Sequence, residues 1–271
     1  MTSNASGGLW RAARGGVALF ALGMVGVLAA AAGAVPAVRA LPGFEGASYP
    51  LLLAVAAANS VLLLAVAVAL GAAAAPRIGL RSHVYAWAAG DGADWRALRE
   101  SLGRAVVVGV GAFALVSLLD AAFAPFVSLP APTSTDAESL GVLAASLPLR
   151  LLYGGITEEL LLRWGVMAPL AWLFWRLGRA FGGERPSPPA LAMWGAIVVS
   201  AVAFGAGHLP ALAAAYPLTP ALVARTVLLN ALVGVALGWL FWRDSVETAM
   251  VAHASFHVAL VAVSALLVVA T

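Results

Sequence analysis

Two adjacent glutamates are followed four residues later by an arginine in Glu158-Glu159-Leu160-Leu161-Leu162-Arg163, and almost everything around them is apolar. Ionisable side chains at membrane depth are expensive, and they persist where they pair, line a wet cavity or do chemistry. Helix geometry divides the two carboxylates. Glu159 and Arg163 are four apart and share a face, so they can pair. Glu158 points about 100° away and is left to accept a proton or to touch a metal. Two further apolar runs carry histidines: His208 closes Phe204-Gly205-Ala206-Gly207-His208, and His253 and His257 are four apart. Imidazoles at that spacing project from one side of a helix, as two metal ligands or two oriented hydrogen-bonding groups do. The chain has no cysteine, so it contains no disulfide, thiol nucleophile, Cys-ligated zinc or iron–sulfur cluster. The chemistry falls to carboxylates, histidines or hydroxyls.

The elements that must position these groups follow from composition. With 271 residues, 63% of them hydrophobic and only 10% charged, and a mean hydropathy of +0.98, the chain has more apolar surface than one soluble core can hide. Several runs reach the roughly 20 residues that cross a bilayer as helix, and no period of two suggests a barrel. The fold class expected is an all-α, polytopic bundle of about seven transmembrane helices with its site in a cavity near the bilayer midplane. The net charge of +3 and pI near 9.9 come mostly from arginines in short connections. That pattern is positive-inside topology, and it does not call for a nucleic-acid partner.

In order, the expected spans are 15–38, 49–75, 105–129, 139–177, 190–209, 219–242 and 246–270. The first is too long for a cleaved signal peptide and reads as a signal anchor. The connection 76–104 holds five arginines and reads as cytoplasmic, either with an interfacial helix around 93–103 or as a solvated linker, and with His83 as an ordinary surface residue. The loop 130–138 has acids but no arginine and is expected outside. Alternating the arginines places the N-terminus inside and the C-terminus outside. The fourth run is longer than one crossing requires; Gly154-Gly155 and Pro169 are where it could bend or break, and a re-entrant turn there would reverse the count. At 1.5 Å per residue, His208 lies roughly 12 Å inside one boundary, His253 roughly 14 Å inside the other, and Glu158 near the middle of its own run.

Each group alone has an ordinary structural explanation: a single histidine on an apolar face is usually a satisfied hydrogen bonder, and a Glu–Arg pair at four spacing is more often structural. Together, at matched depth on three runs, they indicate a reaction site. Asp120, Arg150 and Arg225 also sit within apolar runs. They are expected to pair across helices or to snorkel toward an interface, the other reading being a substrate path.

These motifs resemble the CAAX protease and bacteriocin-processing family of intramembrane proteases, also called the CPBP or Abi family, and within it the type II CAAX prenyl endopeptidases. The family's pattern is Glu-Glu-x-x-x-Arg, then Phe-x-x-x-His, then His-x-x-x-Asn. Glu158, Glu159 and Arg163 match the first, Phe204 and His208 the second, and His253 begins the third. His257 stands where the family has asparagine, Leu162 where an aromatic often precedes the arginine, and Trp164 where glycine is usual. The resemblance divides the chain into a variable part, 1–140, with three spans and the Arg-rich linker, and a catalytic helical core, 141–271. It implies a multi-pass protein of a bacterial cytoplasmic membrane that hydrolyses a membrane-embedded or lipidated peptide or protein. The residues it assigns to catalysis are Glu158, Glu159, Arg163, His208, His253 and His257. Glu158 would activate water held with His208, while His253 and His257 would stabilise the oxyanion. In a metal version, Glu158, His208, His253 and His257 would hold Zn²⁺ or another divalent ion. The rival classes are a non-catalytic membrane scaffold or regulator, and a transporter, for which the chain shows no internal repeat.

Overall fold

A computed structural model describes residues 2–127, 140–182 and 185–270. Its elements are helices throughout: α1 (Thr2–Arg39), α2 (Tyr49–Ala74), α3 (His83–Ala89), α4 (Trp95–Phe123), α5 (Leu140–Pro148), α6 (Ala168–Ala180), α7 (Ala190–Gly207), α8 (Leu209–Ala215), α9 (Pro220–Arg243) and α10 (Val246–Ala270). Among the described residues, seven stretches are long and apolar enough to cross a membrane, in the order expected. The protein is an integral membrane protein with an all-helical bundle fold. The expected outer loop, 130–138, lies outside the described residues.

Three expectations change. The helix expected around 93–103 is not a separate element; Asp94 caps α4 by accepting from the Ala97 N–H, and the helix runs from Trp95 into the third span without a break. The separate short helix is α3, capped by the Ser82 hydroxyl, which accepts from the Tyr85 N–H. His83 in α3 is not a surface residue, being only 7% exposed, with its ring 6.1 Å from that of Trp95. The fourth span neither breaks nor turns back. Residues Leu140–Ala180 stay helical throughout, but Leu149–Thr157 and Leu160–Met167 take the wider π winding. Pro169 lacks an amide N–H and its ring would crowd the carbonyl four residues earlier, so the widened turn just before it removes a conflict that a straight α-helix would have.

The first two spans pack directly on these π turns, α1 against Leu149–Thr157 and α2 against Leu160–Met167. Small residues permit the approach, as is usual where helices meet in lipid. A side chain at Gly26 would collide with the Leu152 carbonyl and the Thr157 hydroxyl, and that hydroxyl donates to the Gly23 carbonyl at 2.8 Å. Trp164 is fully buried at the centre of the core. Its ring fills space left open by Gly71 of α2, lies 5.4 Å from Tyr85 and 6.3 Å from Phe241, and donates through Nε1 to the Val68 carbonyl at 3.3 Å.

Contacts among the connections gather the arginine-bearing end of the bundle. Arg11 meets Asp91 at 3.3 Å, Arg104 meets Asp244 at 3.4 Å, and the Val246 N–H donates to the Arg81 carbonyl at 3.1 Å. At this end Glu247 is buried; its Oε1 accepts from the Ser82 hydroxyl at 2.5 Å and from the Val84 N–H at 3.0 Å. Ser101 and Ser245 both hydrogen-bond Thr248, at 2.8 and 3.1 Å.

Candidate active site

The π turns carry Arg150, Tyr153, Gly154 and Arg163, and Glu158 and Glu159 occupy the junction between them. Glu159 and Arg163 form the expected ion pair, Nε to Oε2 at 3.2 Å, with both side chains almost wholly enclosed. Arg163 also donates from a terminal nitrogen to the Gly234 carbonyl at 3.3 Å. The carboxylate has a second task that spacing within one helix does not reveal. Its Oε1 lies 2.8 Å from His253 Nδ1. An ionised carboxylate only accepts, so Nδ1 carries the proton and His253 turns Nε2 toward Glu158.

Glu158 contrasts with its neighbour. Its side chain is 19% exposed where that of Glu159 is 0%, and it faces a cavity of about 300 Å³. Glu158 Oε2 and His253 Nε2 are 4.0 Å apart. That is too far for a hydrogen bond, yet close enough for one water to bridge them.

His208 comes to the cavity from a kink. Pro210 has no N–H to continue the ladder, so α7 ends at Gly207 and α8 starts at Leu209, leaving His208 at the joint. His208 Nδ1 donates to the Phe204 carbonyl at 2.8 Å, which fixes the ring and leaves Nε2 to the cavity. His257 stacks on His253 with ring centres 4.9 Å apart. Its Nδ1 is buried without a hydrogen-bond partner, and a side chain at Gly154 would come within 2.7 Å of its Nε2.

The structure therefore brings Glu158, His208, His253 and His257 to one cavity, with Glu159 and Arg163 behind it. Phe204 ties the two sets together. The Arg163 guanidinium lies 4.7 Å over its ring, and the ring meets His208 and His253 at 4.8 and 5.7 Å, nearly edge-on in both cases. Sequence reasoning gave Phe204 only a place in a motif, and it missed Tyr153 and Asn230, which also line the cavity. Asn230 donates to the Thr226 carbonyl at 2.8 Å, and a lone amide in the apolar run of α9 was the one signal that could have found it.

Residues 140–259 match the family model of the Rce1-like type II CAAX prenyl endopeptidases. Every residue of the cluster falls inside that stretch, which begins after the third span. The match supports a CAAX-type intramembrane protease acting on a membrane-associated peptide. No curated protein and no solved structure matches the chain. The Rce1-like segment supplies the donors on which a divalent ion would draw: Glu158, His208, His253 and His257. Among the described residues, however, no three His, Asp or Glu side chains converge into a group able to hold a metal ion.

Proposed function

We propose that the chain is an intramembrane endopeptidase in which Glu158 activates water against a peptide carbonyl of a membrane-embedded or lipidated substrate. The observation that carries this reading is the unequal treatment of two neighbouring carboxylates. Glu159 is enclosed, hydrogen-bonded to His253 through Oε1 and ion-paired with Arg163 through Oε2, whereas Glu158 meets the cavity with no hydrogen bond of its own among the described residues, 4.0 Å from His253.

A water held by Glu158 and the His208 imidazole gives its proton to Glu158 as its oxygen bonds to the carbonyl carbon. The carbonyl electrons move onto oxygen. His253 and His257 stabilise that oxyanion, with the Glu159 carboxylate holding the His253 ring in place. When the intermediate collapses, the C–N bond breaks and Glu158 returns its proton to the leaving amine, releasing one new carboxylate and one new amine. The apolar walls, including Phe204, Val233 and Phe256, keep bulk water from competing.

The reading is tested by Glu158→Ala, His208→Ala and His253→Ala, each of which abolishes hydrolysis while the protein still inserts. Full activity in any of them overturns the assignment, and tolerance of all three favours a non-catalytic scaffold. Metal dependence is tested separately. Hydrolysis that survives exhaustive chelation supports water activation by the side chains alone; loss that Zn²⁺ restores shows that an ion takes part.

A further inference from the structure

A second cavity, of about 510 Å³, adjoins the first and extends it between α4, α9 and α10. The two share Arg150, His208, Asn230, Val233, Phe256 and His257. Most of the added wall is apolar, from Phe113, Val116, Leu229 and Leu260. Its charges are unevenly satisfied. Asp120 and Arg225 pair with each other across α4 and α9 at 2.5 Å. Arg150 is half-buried and has no carboxylate partner among the described residues; its one hydrogen bond runs from Nε to the Ser146 hydroxyl at 3.0 Å. Among the described residues both terminal nitrogens of its guanidinium are thus uncommitted, on a side chain that borders both cavities.

A cation in an apolar, partly enclosed space is costly until an anion completes it. A planar guanidinium with two free terminal nitrogens fits a carboxylate in a two-point fork. A peptide lying across the two cavities would reach both Arg150 and Glu158, and the anion it carries is a carboxylate, at its C-terminus or on an Asp or Glu side chain. We infer that Arg150 determines specificity by binding a carboxylate of the peptide substrate in the second cavity. The inference rests on the peptidase reading for the cleavage step, but the binding step stands apart from it.

The binding arm uses N-lauroyl-leucine and its uncharged amide as probes, titrated into the native protein and Arg150→Gln in nanodiscs. The native protein should prefer the carboxylate by about 10- to 100-fold, the range for a hydrogen bond to a charged group, and Arg150→Gln should lose the preference. Arg150→Lys, which keeps the charge but not the fork, should recover part of it. Equal binding of acid and amide by the native protein, or an unchanged preference in Arg150→Gln of native thermal stability, overturns the inference. The cleavage arm digests one synthetic peptide library made with free-acid and with amidated C-termini and maps the products by mass spectrometry. Preference for free-acid ends places the carboxylate at the terminus, whereas preference for Asp or Glu near the cut places it on a side chain. In either case Arg150→Gln should raise KM for the preferred peptides and leave kcat within a few-fold; indifference to both overturns the inference. A binding preference without any cleavage sustains the anchor and refutes the peptidase instead.

Discussion

Glu158 and Glu247 are both carboxylates within spans of the bundle, and the protein uses them in opposite ways. Glu247 sits at the arginine-bearing end, where one oxygen takes hydrogen bonds from the Ser82 hydroxyl and the Val84 amide, so that it pins α3 and the linker to the start of α10. Glu158 sits between the π turns, with a cavity in front of it and an imidazole 4.0 Å away. A buried carboxylate is thus no mark of chemistry by itself. Unspent hydrogen-bonding capacity directed into a cavity, beside a second group that is held in place, is the better mark.

Substitutions that separate the two regions test the contrast, ranked by their effect on hydrolysis per folded molecule. Glu158→Ala removes the general base and should lower the rate by about 10²- to 10⁴-fold, measured on purified protein with a cleavable peptide, without loss of insertion. Glu159→Gln leaves Arg163 uncompensated and offers His253 an amide in place of an anion. Its rate should fall on the order of 10²-fold through misplacement of His253, and thermal unfolding should show a loss of about 3–5 kcal/mol. Gly154→Ala pushes against His257 and should reduce the rate about tenfold, with the shift of the imidazole visible in the nitrogen resonances of His257. Glu247→Ala leaves the Ser82 hydroxyl and Val84 amide without their acceptor. It should cost about 1–3 kcal/mol of stability while the rate per folded molecule stays within twofold of native, as read by active-site-normalised kinetics. A Glu247→Ala protein that is stable but inactive would break the contrast.

The parts of the site that share one helix were readable from spacing. The pair Glu159–Arg163 and the common face of His253 and His257 follow from residues four apart. The seven spans were readable from runs of apolar residues. The rest depends on partners remote in sequence. Ser82 lies 165 residues from Glu247 and Glu159 lies 94 from His253, so no local pattern announces either bond. The π winding was hidden for a related reason. Gly154, Gly155 and Pro169 signal a departure from the α-helix, but its form is set by α1, α2 and α10, which pack on the segment. Trp164, where the resembling family has glycine, packs without conflict because Gly71 supplies the space from another span, which no pattern local to the motif reveals.

Peptides released from the membranes of cells making native protein, Glu158→Ala or Glu247→Ala, quantified by mass spectrometry at matched membrane levels, test the central assignment most directly. Peptides present with native protein and with Glu247→Ala, and absent with Glu158→Ala, are the predicted result. The same peptides released in equal amount by Glu158→Ala would contradict it.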